Sequence, residues 1–259
     1  MATTLTVGNA RVTYRTEGSG PALVLVHGAG PGSVMWDGLL DRFTGHRTVI
    51  LPDLSGSEPA EDDGSPLAIE TLAEQVNAVI EDSGAGPADV VGFSLGAPTA
   101  AAAAALRPDL VRRLVPVAGL AHAGDEYVRQ YMTTWLELAE APAAFGRFAT
   151  LTAHSRPFLN RIGHDAVEEL HAFMRPTEGL LRQLDLVRRL DIRSLLPRIT
   201  APTLVIGASL DQTIPVENHR EVFAGIRGSE YAELDTGHVA MGERPDEFVK
   251  LVRDFLDRP

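Results

Sequence analysis

The sequence contains no cysteine, which excludes disulfides, thiolate metal sites and a cysteine nucleophile. It has a single lysine, Lys250, among 23 basic residues. Schiff-base chemistry would have to use that one residue, which lies in a polar C-terminal pattern. No apolar run reaches the ~20 residues of a membrane span. The longest small-residue run, Ala97 to Leu106, is helix-forming alanine interrupted by a proline and a threonine. The opening MATTLTVGNARV lacks the basic segment and apolar core of an export signal, which points to a cytoplasmic location. Positive charge is also scarce. The formal net charge of −12 disfavours nucleic acid and anionic membrane surfaces, both of which need a basic footprint, so the expected partner is a small-molecule substrate. Nothing in the composition fixes an oligomeric state. With 44% hydrophobic and 22% charged residues, the 259-residue chain suits one large α/β domain, or at most two small ones, and not a disordered chain.

What is present is an alternation of strand and helix signals, favouring a mostly parallel sheet covered on both faces. Thr4 to Val7 and Arg11 to Thr16 are β-rich runs around Gly8-Asn9, a hairpin signal. Buried strands are predicted at 22–27, 48–51, 89–93, 114–118, 203–206 and 230–234. Helices are predicted near 34–43, 69–83, 95–107, 216–226 and 245–256. Between Gly119 and Ser194 the pattern changes to amphipathic stretches broken by Pro142, Pro157 and Pro176, and this reads as a helical insertion.

Three segments carry chemistry. Gly92-Phe93-Ser94-Leu95-Gly96 is a G-x-S-x-G turn between a predicted strand and a predicted helix. Small residues on either side let strand and helix pass closely, and the serine hydroxyl is lifted to a helix N-terminus, where backbone N–H groups favour an oxyanion. The plain alternative is a helix cap at Ser94. His27-Gly28-Ala29-Gly30-Pro31-Gly32 follows a buried strand and is suited to supplying a second N–H donor. Leu95 and Ala29 are the expected oxyanion donors, with Gly30 as the fallback, and His27 is expected to hold the turn. The glycine spacing is not that of a dinucleotide or phosphate loop. Asp211 lies just beyond the strand at 203–206, and His238 lies in the loop after the strand at 230–234. A serine needs an adjacent imidazole whose tautomer a carboxylate fixes, and Ser94, His238 and Asp211 supply that set. Asp235 is a rival acid. Met35, Trp135, Phe145, Phe158 and Val239 are the candidate lining of an apolar substrate pocket, with packing within the fold as the plain alternative. His122, His154, His164 and His171 read as surface or interface residues, and no metal or organic cofactor is implied.

Taken together, HGAGPG at 27–32, PDLSGS at 52–57, VGFSLGA at 91–97, VIGASLDQTIP at 205–215 and DTGHVAMGERPDEF at 235–248 make the chain resemble the α/β-hydrolase fold superfamily. The resemblance implies a mostly parallel, eight-stranded type of sheet flanked by helices. It also implies a core split into 1–118 and 195–259 around a helical cap at 119–194. In the same terms it implies Ser94 as nucleophile, His238 as base and Asp211 as orienting acid. Serine at 94 sets the chain apart from the dehalogenases and epoxide hydrolases of this fold, which use aspartate. HGAGPG is similar to the turn of hydrolases that cleave carbon–carbon bonds, yet Phe93 and Val239 stand where those place asparagine and tryptophan. The leading expectation is a serine hydrolase of esters, lactones or thioesters. The alternatives are a non-hydrolytic enzyme on the same scaffold (cyclase, lyase or acyltransferase), a carbon–carbon hydrolase, and a ligand-binding receptor.

Overall fold

In the computed structural model, which describes residues 2–258, eight strands form one sheet in the order β1-β2-β4-β3-β5-β6-β7-β8. The strands are β1 (Ala2–Val7), β2 (Ala10–Gly18), β3 (Ala22–Val26), β4 (Thr48–Asp53), β5 (Ala88–Phe93), β6 (Val111–Val117), β7 (Leu204–Ala208) and β8 (Glu230–Leu234). β2 runs antiparallel to both its neighbours, and β3 through β8 are mutually parallel. Every residue of β3 and β5 is buried, which is why these segments read as continuous apolar runs without alternation.

Helices α1 (Ile69–Asp82), α2 (Gly96–Leu106), α8 (Val216–Gly225), α9 (Ala240–Glu243) and α10 (Pro245–Leu256) flank the sheet. α1 buries Ile69, Leu72, Val76, Val79 and Ile80, the 3.6-residue stripe visible in its sequence. α2 is mostly alanine and other small residues, so its axis approaches the sheet closely and its residues from Gly96 to Ala105 are buried. The segment predicted as a helix near 34–43 is a 3-10 helix over Ser33–Arg42. Its buried residues Ser33, Trp36 and Leu39 recur every three positions, the 3-10 period, and Gly38 weakens an α-helix in its interior.

Between β6 and β7 the chain leaves the sheet at Ala118, whose φ is 48°. It then forms α3 (Glu126–Glu137), α4 (Pro142–Ala153), α5 (Arg156–Ile162), α6 (His164–Phe173) and α7 (Glu178–Arg189). Pro142 and Pro157 do not break helices here. They occupy the first turns of α4 and α5, where a missing N–H costs nothing. The two ends of the segment are stitched together, Ala123 N–H to Leu190 O at 2.8 Å and Ile192 N–H to Ala121 O at 2.8 Å.

β3 lies between β4 on one side and β5 on the other, so the connections after it diverge at its carboxyl end. Such a switch point opens a crevice, and the turn at 27–32 and Ser94 both emerge there. Among the described residues no helix is long and apolar enough to cross a membrane.

Candidate active site

Ser94 has a φ of 54°, a left-handed conformation that a side chain adopts at a cost. The turn is forced by crowding between strand and helix. A Cβ on Gly92 would lie 2.1 Å from the Gly96 carbonyl oxygen, and one on Gly96 would lie 2.4 Å from that of Val26. Ser94 N–H donates to Val117 O at 2.9 Å, which ties the turn to β6. The hydroxyl is thereby held above the sheet and half exposed.

Ser94 Oγ lies 2.8 Å from His238 Nε2, and His238 Nδ1 lies 2.6 Å from Asp211 Oδ2. The Asp211 carboxylate is fixed by its own loop, its Oδ1 accepting from Thr213 N–H at 2.8 Å and Ile214 N–H at 2.9 Å. Burial works against its charge, but His238 and His219 outweigh it and hold the carboxyl at about 2. An ionised Asp211 requires the Nδ1–H tautomer of His238, which leaves the Nε2 lone pair facing Ser94. Phe93 packs on the imidazole with ring centres 5.0 Å apart. Asp235 is exposed and accepts from Ser209 Oγ at 2.9 Å, so the rival acid stands outside this chain of contacts.

His219 is a residue that the sequence pattern does not single out. It is fully buried, its Nδ1 accepts from Ala208 N–H at 3.2 Å, and its Nε2 lies 3.4 Å from the same Asp211 oxygen that His238 uses. Its one signal in the sequence is a histidine three positions before Val222 on the buried stripe of α8.

Ala29 and Leu95 both border the cavity beside Ser94, and Leu95 stands at the N-terminus of α2, where backbone N–H groups lack helical partners. Gly30, the fallback donor, is corrected. Its N–H donates to Gln183 Oε1 at 2.9 Å and is not free for an oxyanion. Gln183 is fully buried on α7 and also donates from Nε2 to Ser55 O at 3.2 Å, so this one amide braces two core loops. His27 holds the same turn from below. Its Nδ1 contacts Gly28 O at 2.7 Å and its Nε2 accepts from Leu54 N–H at 3.0 Å. Burial pushes its pKa down, so the ring is neutral. Asp53 closes the turn, accepting from Ser33 N–H at 2.6 Å.

The cavity above Ser94 has a volume of about 500 Å³ and is walled by the sheet edge and by α3, α4, α6 and α7. Met35, Trp135 and Val239 line it. Phe145 and Phe158 do not. Phe145 is fully buried behind Trp135, ring centres 5.4 Å apart, and Phe158 stacks on His154 at 5.2 Å. In place of those two, His154 reaches the cavity wall. The loop carrying His238 is bonded to the same helical segment. Val239 N–H donates to Ala153 O at 3.2 Å, and the buried Glu243 carboxylate accepts from Ser155 N–H and Ser155 Oγ, each at 2.6 Å.

Residues 21–245 match the family model described as alpha/beta hydrolase fold. The chain belongs to the α/β-hydrolase family. Within this family it is 40% identical over 255 residues to the pyrrolizixenacetamide deacetylase of Xenorhabdus hominickii, covering 96% of each chain. It is 26% identical to a putative carbamate hydrolase, RutD, of Azorhizobium caulinodans, again over 96% of each chain. Among solved structures, a hydrolase from Pseudomonas aeruginosa superposes with a TM-score of 0.86 at 26% identity, over 99% of this chain and 98% of that one. These three relatives are hydrolytic enzymes by name, and this chain is a hydrolase.

Proposed function

We propose that the protein hydrolyses a carboxylic acyl bond of a small, moderately apolar molecule through an acyl-enzyme on Ser94. The observation that carries this reading is the unbroken hydrogen-bonded path from Asp211 through His238 to Ser94 Oγ, opening on an apolar cavity. Ester, lactone and thioester bonds fit this machinery. The relative at 40% identity is named as a deacetylase of an acetamide, which brings the amide bond into the same class.

In this reading His238 Nε2 takes the hydroxyl proton as Ser94 Oγ bonds to the substrate carbonyl carbon. The electron pair of the carbonyl π bond moves onto oxygen, opposite the N–H groups of Leu95 and Ala29. Collapse of that intermediate expels the leaving alcohol, thiol or amine, which takes the proton from His238. Water then repeats the sequence, giving its proton to His238 and its oxygen to the acyl carbon, and Ser94 Oγ leaves with that proton. Asp211 remains ionised throughout and holds the imidazole in the reactive tautomer.

The test is intact mass after treatment with a fluorophosphonate, comparing wild type with Ser94→Ala. One adduct on the wild type and none on the variant is expected. An unlabelled wild type would remove the activated nucleophile and with it the proposal.

A further inference from the structure

Besides the indole of Trp135, the cavity wall offers few polar side chains, namely Ser94, His238, Thr150, Thr213 and His154. Ser94 and His238 belong to the reacting set, and Thr213 Oγ1 lies 3.4 Å from Tyr131 Oη. His154 is the second imidazole on the wall, and its ring is fixed. It caps the carboxyl end of α4, where its Nδ1 donates to Thr150 O at 3.0 Å. One face lies on Phe158 with an interplanar angle of 14°. With Nδ1 carrying the proton, Nε2 keeps a lone pair. Burial lowers the pKa of the group, so the neutral ring and its lone pair persist at neutral pH. Its placement relative to the reacting atoms is also fixed. The preceding residue, Ala153, accepts the hydrogen bond of Val239, the residue after His238.

We propose that His154 Nε2 is a specificity determinant that accepts a hydrogen bond from an N–H of the bound substrate, selecting secondary amides over esters of the same size. This rests on the acyl-transfer reading of the site. In an amide the group beside the scissile carbonyl presents a hydrogen to the imidazole lone pair. In the matching ester an oxygen lone pair stands in its place, opposed to that of Nε2. A site built around one hydrogen bond rejects the analogue that lacks it more sharply than an apolar pocket separates shapes.

The test uses p-nitroacetanilide and p-nitrophenyl acetate, which share an acyl group and an aryl leaving group and differ in N–H against O. The readout is the ratio of their kcat/KM values in wild type, His154→Phe and His154→Gln. Intrinsic reactivity cancels when each variant's ratio is divided by that of the wild type. His154→Phe is expected to lower the ratio about ten-fold or more, and His154→Gln, whose amide oxygen accepts, to restore part of it. An unchanged ratio in His154→Phe overturns the proposal, as does a wild type that turns over the ester and leaves the anilide untouched. A misfolded variant is recognised by its fluorophosphonate labelling rate, and His154→Leu, which likewise lacks an acceptor, then carries the comparison. A wild type that is neither labelled nor active on either substrate takes down the acyl-enzyme reading together with this one.

Discussion

At the scale of single residues, Asp211 uses its two oxygens for different ends. Oδ1 is anchored by two backbone amides, and Oδ2 faces His238 and His219. Replacing it with asparagine keeps the anchored oxygen and turns an NH₂ group toward His238 Nδ1. The imidazole must then accept there and carry its proton on Nε2, where it cannot take one from Ser94. We expect Asp211→Asn to lower kcat on a p-nitrophenyl ester by about 10⁴-fold with the fold intact by circular dichroism. A loss below ten-fold would show that the carboxylate does not set the tautomer. Ser94, Asp211 and His238 are visible in the sequence because each follows a strand in a short loop. His219 and His154 are not, because neither a buried histidine on a helix nor one at a helix's carboxyl end has a local mark separating it from an ordinary position. The sequence alone places His154 at a surface or interface, and it is the packing of α4 against the His238 loop that brings it to the cavity wall.

At the scale of elements, the tight crossing of β5 and α2 makes Gly92 irreplaceable. Gly92→Ala would put a methyl group 2.1 Å from a carbonyl oxygen, whereas Gly45→Ala meets nothing within 4 Å. Thermal denaturation should show a loss of about 3 kcal/mol or more for the first and less than about 0.5 kcal/mol for the second. Similar losses in both would mean that the crossing relaxes easily. Gln183 is the reverse case, a polar residue that joins elements. Gln183→Leu removes the partners of Gly30 N–H and Ser55 O, which should cost about 1–3 kcal/mol for each group left unpaired. It should also lower kcat by loosening the turn that presents Ala29. An unaltered kcat would separate the brace from catalysis. The sequence carries a trace of this residue, a glutamine on the face of α7 that buries Leu180, Leu184 and Val187. The trace says that the residue is buried, and says nothing of which loops it reaches, since those lie more than a hundred positions away in the chain. Phe145 and Phe158 fail as lining for a related reason. Helical periodicity gives the inward face but not the layer, and these rings lie one layer behind the cavity or beside it.

At the scale of the whole molecule, acid should weaken the fold in two stages. His27 and His154 are both held neutral by burial, with pKa values below the ordinary 6.5. The unfolded chain therefore binds protons there before the folded one does, and stability falls as pH drops below about 6.5, by up to about 1.4 kcal/mol per pH unit for each histidine. Asp211, held at about 2 against its usual 3.8, adds a second loss as pH falls from near 4 toward 2. Urea denaturation at a series of pH values should show both slopes, and His27→Gln should flatten the first. A first slope as steep in that variant as in the wild type would mean that His27 does not contribute to it. The strands and their mostly parallel sheet are legible in outline from the alternating pattern, because buried parallel strands and their amphipathic helices leave strong periodic marks, whereas the order of the strands is not. Neither is the arrangement of α3 to α7, since helices packed over a cavity are ordered by contacts that no local period encodes. That arrangement has a further result. The backbone bond from Val239 to Ala153 and the grip of Glu243 on Ser155 tie the loop of the reacting imidazole to the roof above it. A displacement of α4 and α5 from the core would have to part those bonds, so the roof and the loop of His238 are mechanically joined. The alignment of His238 and the seating of the helices above it are thereby one arrangement, held by the same few bonds.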